Sequence, residues 1–147
     1  MDANKCVAVV FPGQGSQRPG MGKEFYEQIP VCRETYQEAS DTLGWDVAAM
    51  CFGEDERINL TEYTQPCILA TETAMYRGLV ERYNFAPQYF GGHSLGEFSA
   101  LVAARVMPFA QSLTIVQERG KLMQEAVPVG VGGMAAVISE GIDAQKL

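Results

Sequence analysis

The chain of 147 residues carries 18 acidic and 11 basic side chains, a formal net charge of −7, and 47% of its residues are hydrophobic. This length corresponds to about one domain with enough apolar residues for a core. The acidic balance argues against a nucleic-acid partner, whereas Arg18 and Lys23 could form a local basic patch or could simply be solvated surface cations.

The first predicted element is a strand followed by a glycine-rich turn. Residues 6–11 are apolar and rich in β-branched side chains, which predicts a buried strand, and residues 12–17 form the turn. A dinucleotide fingerprint would need glycine where Arg18 stands, and a phosphate-binding loop would need Lys-Ser/Thr where Met21-Gly22 stands. A glycine turn without a ligand remains the alternative.

Helices are predicted over the next stretch of the chain. Residues 23–40 have one apolar helical face, which Pro30 interrupts, and residues 41–60 predict short helical turns. Pro66 is expected to open a long helix that ends near Asn84. The predicted buried face of that helix consists of Leu69, Tyr76, Leu79, Val80 and Tyr83.

The motif Gly92-His93-Ser94-Leu95-Gly96 is the most informative stretch, because it has the Gly-x-Ser-x-Gly pattern of a nucleophile elbow. Apolar residues at 89–90 precede it as a strand end, and helical spacing follows it from Leu95 to Val102. The pattern predicts Ser94 on a strand-to-helix turn, beside free backbone N–H groups that can stabilise an oxyanion at an acyl carbonyl. A chance match at an ordinary turn is the alternative.

An oxyanion hole at such a serine needs two backbone donors. One is the residue after the serine, Leu95, and Gln14 between two glycines is the natural second donor. Gln65 is interpreted as a helix cap, and Glu97 as a first-turn carboxylate favoured by the helix dipole; neither is predicted to be catalytic.

The chain is predicted to continue with a helix over 110–126, an apolar strand over 132–138 and the first turn of a helix over 142–147. The alternation of strands and helices predicts an α/β fold with a parallel sheet.

Targeting and metal signals are weak. The N-terminus lacks a signal-peptide pattern and no run of 18 apolar residues occurs, so we expect a cytoplasmic protein without a membrane span. The four cysteines lack metal or redox spacing and are expected to be reduced and mostly buried. The single histidine argues against a histidine-based metal site.

Four motifs together resemble the malonyl-CoA:acyl carrier protein transacylases of fatty-acid synthesis and the acyltransferase domains of polyketide synthases. They are residues 11–17, 63–66, 92–97 and 119–120, in that family's order and approximate spacing. The resemblance covers the N-terminal portion of the family. It implies an α/β-hydrolase-like large subdomain over 1–128 and the start of a ferredoxin-like subdomain over 129–147.

The same resemblance implies a ping-pong acyl transfer without a bound cofactor. Malonyl passes from coenzyme A to Ser94 as an ester and then to the phosphopantetheine thiol of an acyl carrier protein. It implies Gln14 and Leu95 as the oxyanion hole and Arg119 as the partner of the malonate carboxylate, with an ordinary surface residue as the alternative for Arg119. The aliphatic Leu95 resembles malonyl-selective rather than methylmalonyl-selective members.

The general base is the departure from the family pattern. Relatives carry it as a histidine far C-terminal to the serine, whereas the only histidine here is His93, which is interpreted as a supporting structural residue. We therefore expect a C-terminal fragment or subunit to supply the base. Two alternatives stay open: an acyl-enzyme hydrolase of the same fold, and a non-catalytic half that docks a carrier protein or a second subunit.

Overall fold

The computed structural model describes residues 6–128 and 130–132. Its elements in chain order are β1 (Ala8–Phe11), α1 (Lys23–Gln28), α2 (Pro30–Leu43), α3 (Val47–Phe52), a 3-10 turn (Glu56–Asn59), α4 (Thr61–Tyr83), β2 (Tyr89–Gly92), α5 (Leu95–Ala103) and α6 (Phe109–Ala126). Apart from Gly132, the strand predicted over 132–138 and the helix predicted over 142–147 lie outside the described residues.

The two strands pair in parallel, with Ala8 opposite Tyr89 and Phe11 opposite Gly92. Because α5 begins directly after β2 and packs against both strands, the C-terminal ends of the strands meet the N-terminus of this helix. The predicted α/β fold with a parallel sheet is confirmed.

The first strand is less buried among the described residues than the sequence predicted. Pairing begins at Ala8, Phe11 is buried, and Val10 is 77% exposed. Phe11 and Val9 face α5, but no element among the described residues covers the opposite face of β1. Parallel strands are ordinarily covered on both faces, which is why their sequences lack an alternating pattern.

Most of the core lies between α4 and the helices around it. The break at Pro30 is as predicted: Ile29 is extended, and Pro30 begins α2, where its fixed φ fits a helix start. The apolar face predicted over residues 23–40 consists of Phe25, Ile29, Cys32 and Tyr36, of which the last three are buried.

The start of α4 differs from the prediction. The helix begins at Thr61, so Pro66 lies inside it and Gln65 is not its cap. At this start of the helix, the Thr64 hydroxyl donates to the carbonyl oxygens of Ile58 and Leu60. The predicted buried face was wrong at Tyr83, which is 59% exposed; of its five residues, only Leu69 is fully buried.

The cysteines agree with the prediction of free and mostly buried thiols. Cys32, Cys51 and Cys67 are buried and Cys6 is exposed. Contact with Cys51 and burial both raise the pKa of the Cys67 thiol, which keeps it protonated. Among the described residues, none of the helices has the length and apolar character needed to cross a bilayer, and no cluster of three or more His, Cys, Asp or Glu could hold a metal ion.

Glu72 on α4 is a half-buried acid whose two carboxyl oxygens are buried. Both of its carboxyl oxygens lack a hydrogen-bond partner among the described residues, and the residue borders a cleft of about 320 Å³ between the glycine-rich loop, α1 and α4. Burial raises the pKa of the Glu72 carboxyl from 4.5 to about 7. The Ser99 hydroxyl, which approaches too loosely for a well-formed hydrogen bond, lowers this pKa only in part. Folding therefore favours the protonated acid.

We expect this acid to make stability depend on pH. The contribution of Glu72 to the free energy of unfolding is complete below about pH 4.5. It falls as the pH rises and is lost above about pH 7. Between pH 5 and pH 8, the free energy of unfolding should fall by about 2 kcal/mol through this group, and Glu72→Gln should remove that part of the fall. Urea unfolding at both pH values measures it. Glu24→Gln, at an exposed position on the same cleft, is the control; identical pH dependence in all three proteins would exclude Glu72 as the cause.

Candidate active site

Ser94 lies on the sharp turn between β2 and α5. Its φ of 53° and ψ of −105° are unusual for a residue with a side chain, and it stands at the N-cap of the helix. The side chain is exposed. A strained backbone of this kind persists only where the surrounding structure holds it, and such positions cluster at functional sites.

The glycines of the motif make this turn possible. A Cβ on Gly92 would overlap the backbone of Gly96, and a Cβ on Gly96 would overlap the carbonyl of Phe11 at the end of β1. The neighbouring Gly91 is different, because its nearest atom would be a Val10 side-chain carbon at 3.9 Å. The first and last glycines of the motif are therefore needed for close approach of the two backbone segments.

A matched pair of glycine substitutions tests this explanation. Gly92→Ala should lower the free energy of unfolding by about 1–3 kcal/mol and disturb the turn at Ser94, because backbone atoms must move to admit the methyl group. Gly91→Ala should change stability far less, since its Cβ has room. Thermal or urea unfolding of the two variants makes the comparison, and equal losses would contradict the packing argument.

The backbone N–H groups of Gln14 and Leu95 have no hydrogen-bond acceptor among residues 6–128 and 130–132. The two segments touch, because a Cβ on Gly13 would lie 2.6 Å from the His93 carbonyl oxygen and 3.1 Å from His93 Nδ1. The glycine-rich loop and the serine turn thus present free donors at one end of the sheet.

Arg119 on α6 joins the serine to α4. One guanidinium nitrogen donates to Ser94 Oγ at 3.1 Å, and the other terminal nitrogen donates to Gln65 Oε1 at 2.6 Å. The guanidinium also lies over the ring of Phe98, with its carbon 5.7 Å from the ring centroid. A planar cation held in this way beside a hydroxyl is suited to binding a carboxylate.

Gly120 explains how α6 comes close enough to α4. A Cβ at this position would lie 2.5 Å from the carbonyl oxygen of Thr61 and 2.7 Å from Cα of Glu62. Any side chain would therefore push α6 away from the start of α4. The dipeptide Arg119-Gly120 provides both the cation and the close approach.

Gln65 is the site residue that sequence reasoning missed. It is completely buried, its Oε1 accepts from Arg119, and its Nε2 lies 3.4 Å from the sulfur of Met123. Its position next to Pro66 suggested a cap, but the only signal of a further role was its place in one of the four motifs. The contact with Arg119 spans 54 positions and has no local pattern.

His93 packs beside the turn. The backbone N–H of His93 donates to the carbonyl of Phe11 at 3.1 Å, and its backbone carbonyl accepts from the Gly96 N–H at 2.9 Å. The main chain of His93 thus links β1 to the start of α5. Ser94 Oγ has its hydrogen bond with Arg119 instead. The supporting role of His93 stays a prediction.

A family model described as the acyl transferase domain matches residues 8–146. The chain belongs to this family. The malonyl CoA-acyl carrier protein transacylase of Bacillus subtilis (strain 168) is 44% identical over 142 residues, which are 96% of this chain and 44% of that protein. The corresponding enzyme of Escherichia coli (strain K12) is 48% identical over 137 residues, which are 92% of this chain and 44% of that protein.

Solved structures of acyl transferase relatives agree with the fold. The malonyl CoA-acyl carrier protein transacylase from Coxiella burnetii matches with a TM-score of 0.82 at 44% identity, covering 86% of this chain and 40% of that one. A malonyl-transacylase in complex with its type II PKS acyl-carrier protein matches with a TM-score of 0.80 at 49% identity, covering 84% and 40%. The resemblance to this family predicted from the motifs is confirmed, and the chain spans less than half the length of these relatives.

Proposed function

We propose that the protein containing this chain transfers malonyl from malonyl-CoA to the phosphopantetheine thiol of an acyl carrier protein, through an ester on Ser94. The observation that carries the proposal is the hydrogen bond from Arg119 to Ser94 Oγ, which puts a carboxylate-binding group beside a hydroxyl on a strained turn. Relatives that cover nearly all of this chain are malonyl CoA-acyl carrier protein transacylases, which supports the same reaction.

The chemistry needs two acyl transfers. Ser94 Oγ attacks the thioester carbonyl while its proton passes to a base, and the tetrahedral oxyanion is stabilised by the N–H groups of Gln14 and Leu95. Collapse breaks the carbon–sulfur bond, and coenzyme A leaves as a thiol with the proton that the base returns. The phosphopantetheine thiol then gives its proton to the base and attacks the carbonyl of the seryl ester. The carbon–oxygen bond breaks, the malonyl thioester forms on the carrier protein, and the base returns the proton to Ser94 Oγ.

The position of Arg119 favours a short diacid. In malonyl, one methylene separates the carboxylate carbon from the reacting carbonyl carbon, so the two are about 2.5 Å apart. An arginine that contacts the serine hydroxyl is therefore near enough to hold the carboxylate while the serine attacks. Without a carboxylate, the guanidinium charge would lose its partner, which disfavours neutral acyl groups. The aliphatic Leu95 agrees with malonyl as the substrate.

We infer that the base comes from a further part of the protein. Ser94 Oγ has its hydrogen bond with Arg119 and not with His93, Ser94 is exposed, and one face of β1 is uncovered by described residues. We infer that a C-terminal portion covers this face, closes the site and carries the histidine. We call this chain, joined to the unmatched C-terminal portion of the Escherichia coli relative, the complemented chain. The cytoplasmic location stays a prediction.

Transfer rates separate the proposal from its alternatives. The complemented chain should move malonyl from coenzyme A to a phosphopantetheine-bearing carrier protein much faster than it moves acetyl, with little release to water. Faster loss of acyl groups to water than to carrier would support the hydrolase alternative. Binding of a carrier protein by the complemented chain without any transfer would support the non-catalytic alternative.

A further inference from the structure

Thr61 stands where three parts of the site meet. Its hydroxyl accepts a hydrogen bond from Gln14 Nε2 at 3.1 Å, across 47 positions of sequence. Its carbonyl oxygen faces Gly120, the residue after Arg119, at the close approach of α6. Gln65, which orients Arg119, lies one turn further along the same helix.

The contact with Gln14 ties the glycine-rich loop to the rest of the molecule. The other hydrogen bonds that residues 12–17 make with described residues stay inside the loop, such as those from Ser16 to the Gly13 carbonyl and from the Gly15 N–H to the Gln17 side chain. Two glycines flank Gln14, and Gly15 has a φ of 107°. Glycines leave the backbone with more freedom to lose than other residues do, so a hydrogen bond from outside the loop helps to fix the Gln14 N–H direction beside the contact of Gly13 with His93.

We propose that Thr61 is a positioning residue that sets the Gln14 N–H, through the Gln14 side chain, at a fixed place relative to Arg119. One helical turn of α4 thus connects the donor for the oxyanion with the support for the carboxylate-binding cation. This inference rests on the proposed function. It assigns to Thr61 an effect on the rate of ester formation and not on the affinity for malonyl-CoA, because Thr61 touches the loop and not the Arg119 guanidinium.

Two variants at one position isolate the hydroxyl. Thr61→Val keeps the branched shape and removes the acceptor, whereas Thr61→Ser keeps the acceptor. In the complemented chain, Thr61→Val should slow ester formation at saturating malonyl-CoA by about threefold to tenfold, the effect of one hydrogen bond of ordinary strength, with KM within about twofold. Thr61→Ser should retain the original rate. Thr114→Val is the control, because the hydroxyl of this exposed α6 threonine bonds only within its own helix.

A double variant and a structural readout complete the test. Gln14→Met removes the same hydrogen bond, so Thr61→Val combined with Gln14→Met should be no slower than the slower single variant. Hydrogen exchange of the peptide over 12–17 should accelerate in Thr61→Val and not in Thr61→Ser or Thr114→Val. Unchanged exchange, or a rate equal to that of Thr114→Val, would overturn the inference. If the complemented chain forms no ester but exchange accelerates in Thr61→Val, the proposed function fails. Only the role of Thr61 in holding the glycine-rich loop is then supported.

Discussion

Ser94→Ala is expected to abolish the malonyl ester. No other described hydroxyl combines a strained turn, a helix N-terminus and an arginine within hydrogen-bond distance. Removal of the Oγ takes away the atom that forms the ester, so transfer in the complemented chain should fall by at least about a thousandfold. Intact mass after incubation with malonyl-CoA measures the ester, and peptide mapping locates it.

Ser16→Ala is the matched control for this experiment. Ser16 lies on the adjacent glycine-rich loop, where its hydroxyl donates to the Gly13 carbonyl and has no arginine partner. This variant should still reach the full malonyl increment at the end point. The assignment of the ester to Ser94 would be wrong if the mass increment persisted in Ser94→Ala, or if it disappeared in Ser16→Ala while the fold stayed intact.

Arg119→Ala is expected to distinguish malonyl from acetyl. The guanidinium is held by Gln65 and Phe98 beside the serine, so its loss removes the partner of the malonate carboxylate and leaves the acyl-transfer machinery in place. Malonyl transfer should lose about 2–5 kcal/mol of transition-state stabilisation, as for one partner of a buried charge pair. The rate of acetyl transfer should not fall in the same variant. The ratio of kcat/KM values for the two thioesters in the complemented chain measures the difference.

Two further variants define the role of the guanidinium. Arg119→Lys keeps the charge without the planar fork, so it should recover only part of the malonyl preference. Lys121 lies on the same helix, and its ammonium pairs with Glu62 and Glu118 at 3.9 Å. Lys121→Ala removes this cation and should leave the preference for malonyl over acetyl unchanged. Equal losses of malonyl and acetyl transfer in Arg119→Ala would make Arg119 a structural residue.

Much of the local structure could be predicted because its causes are local. The break at Pro30 follows from the fixed φ of proline, and the turn at Ser94 follows from two glycines and helical spacing after the serine. Close packing adds a reason that the sequence does not display: Gly92 and Gly96 are needed because backbone atoms stand where their Cβ atoms would be.

The errors have local and long-range causes. Pro66 was expected to open α4, but the helix begins one turn earlier, where the Thr64 hydroxyl donates to the nearby carbonyls of Ile58 and Leu60. Burial of β1 was overestimated because an apolar run does not reveal whether an element covers its second face. The role of Gln65 depends on its contact with Arg119, which only the packing of α4 against α6 creates.

The intact mass of the complemented chain before and after brief incubation with malonyl-CoA tests the central claim most directly. We predict one malonyl increment per chain, located on the peptide that contains Ser94 and lost when a phosphopantetheine-bearing carrier protein is added. The isolated 147-residue chain, measured in parallel, shows whether the serine and its oxyanion donors act without the C-terminal portion. Absence of an increment on the folded complemented chain, under conditions in which the intact Escherichia coli relative acquires one, would contradict the proposed malonyl transfer.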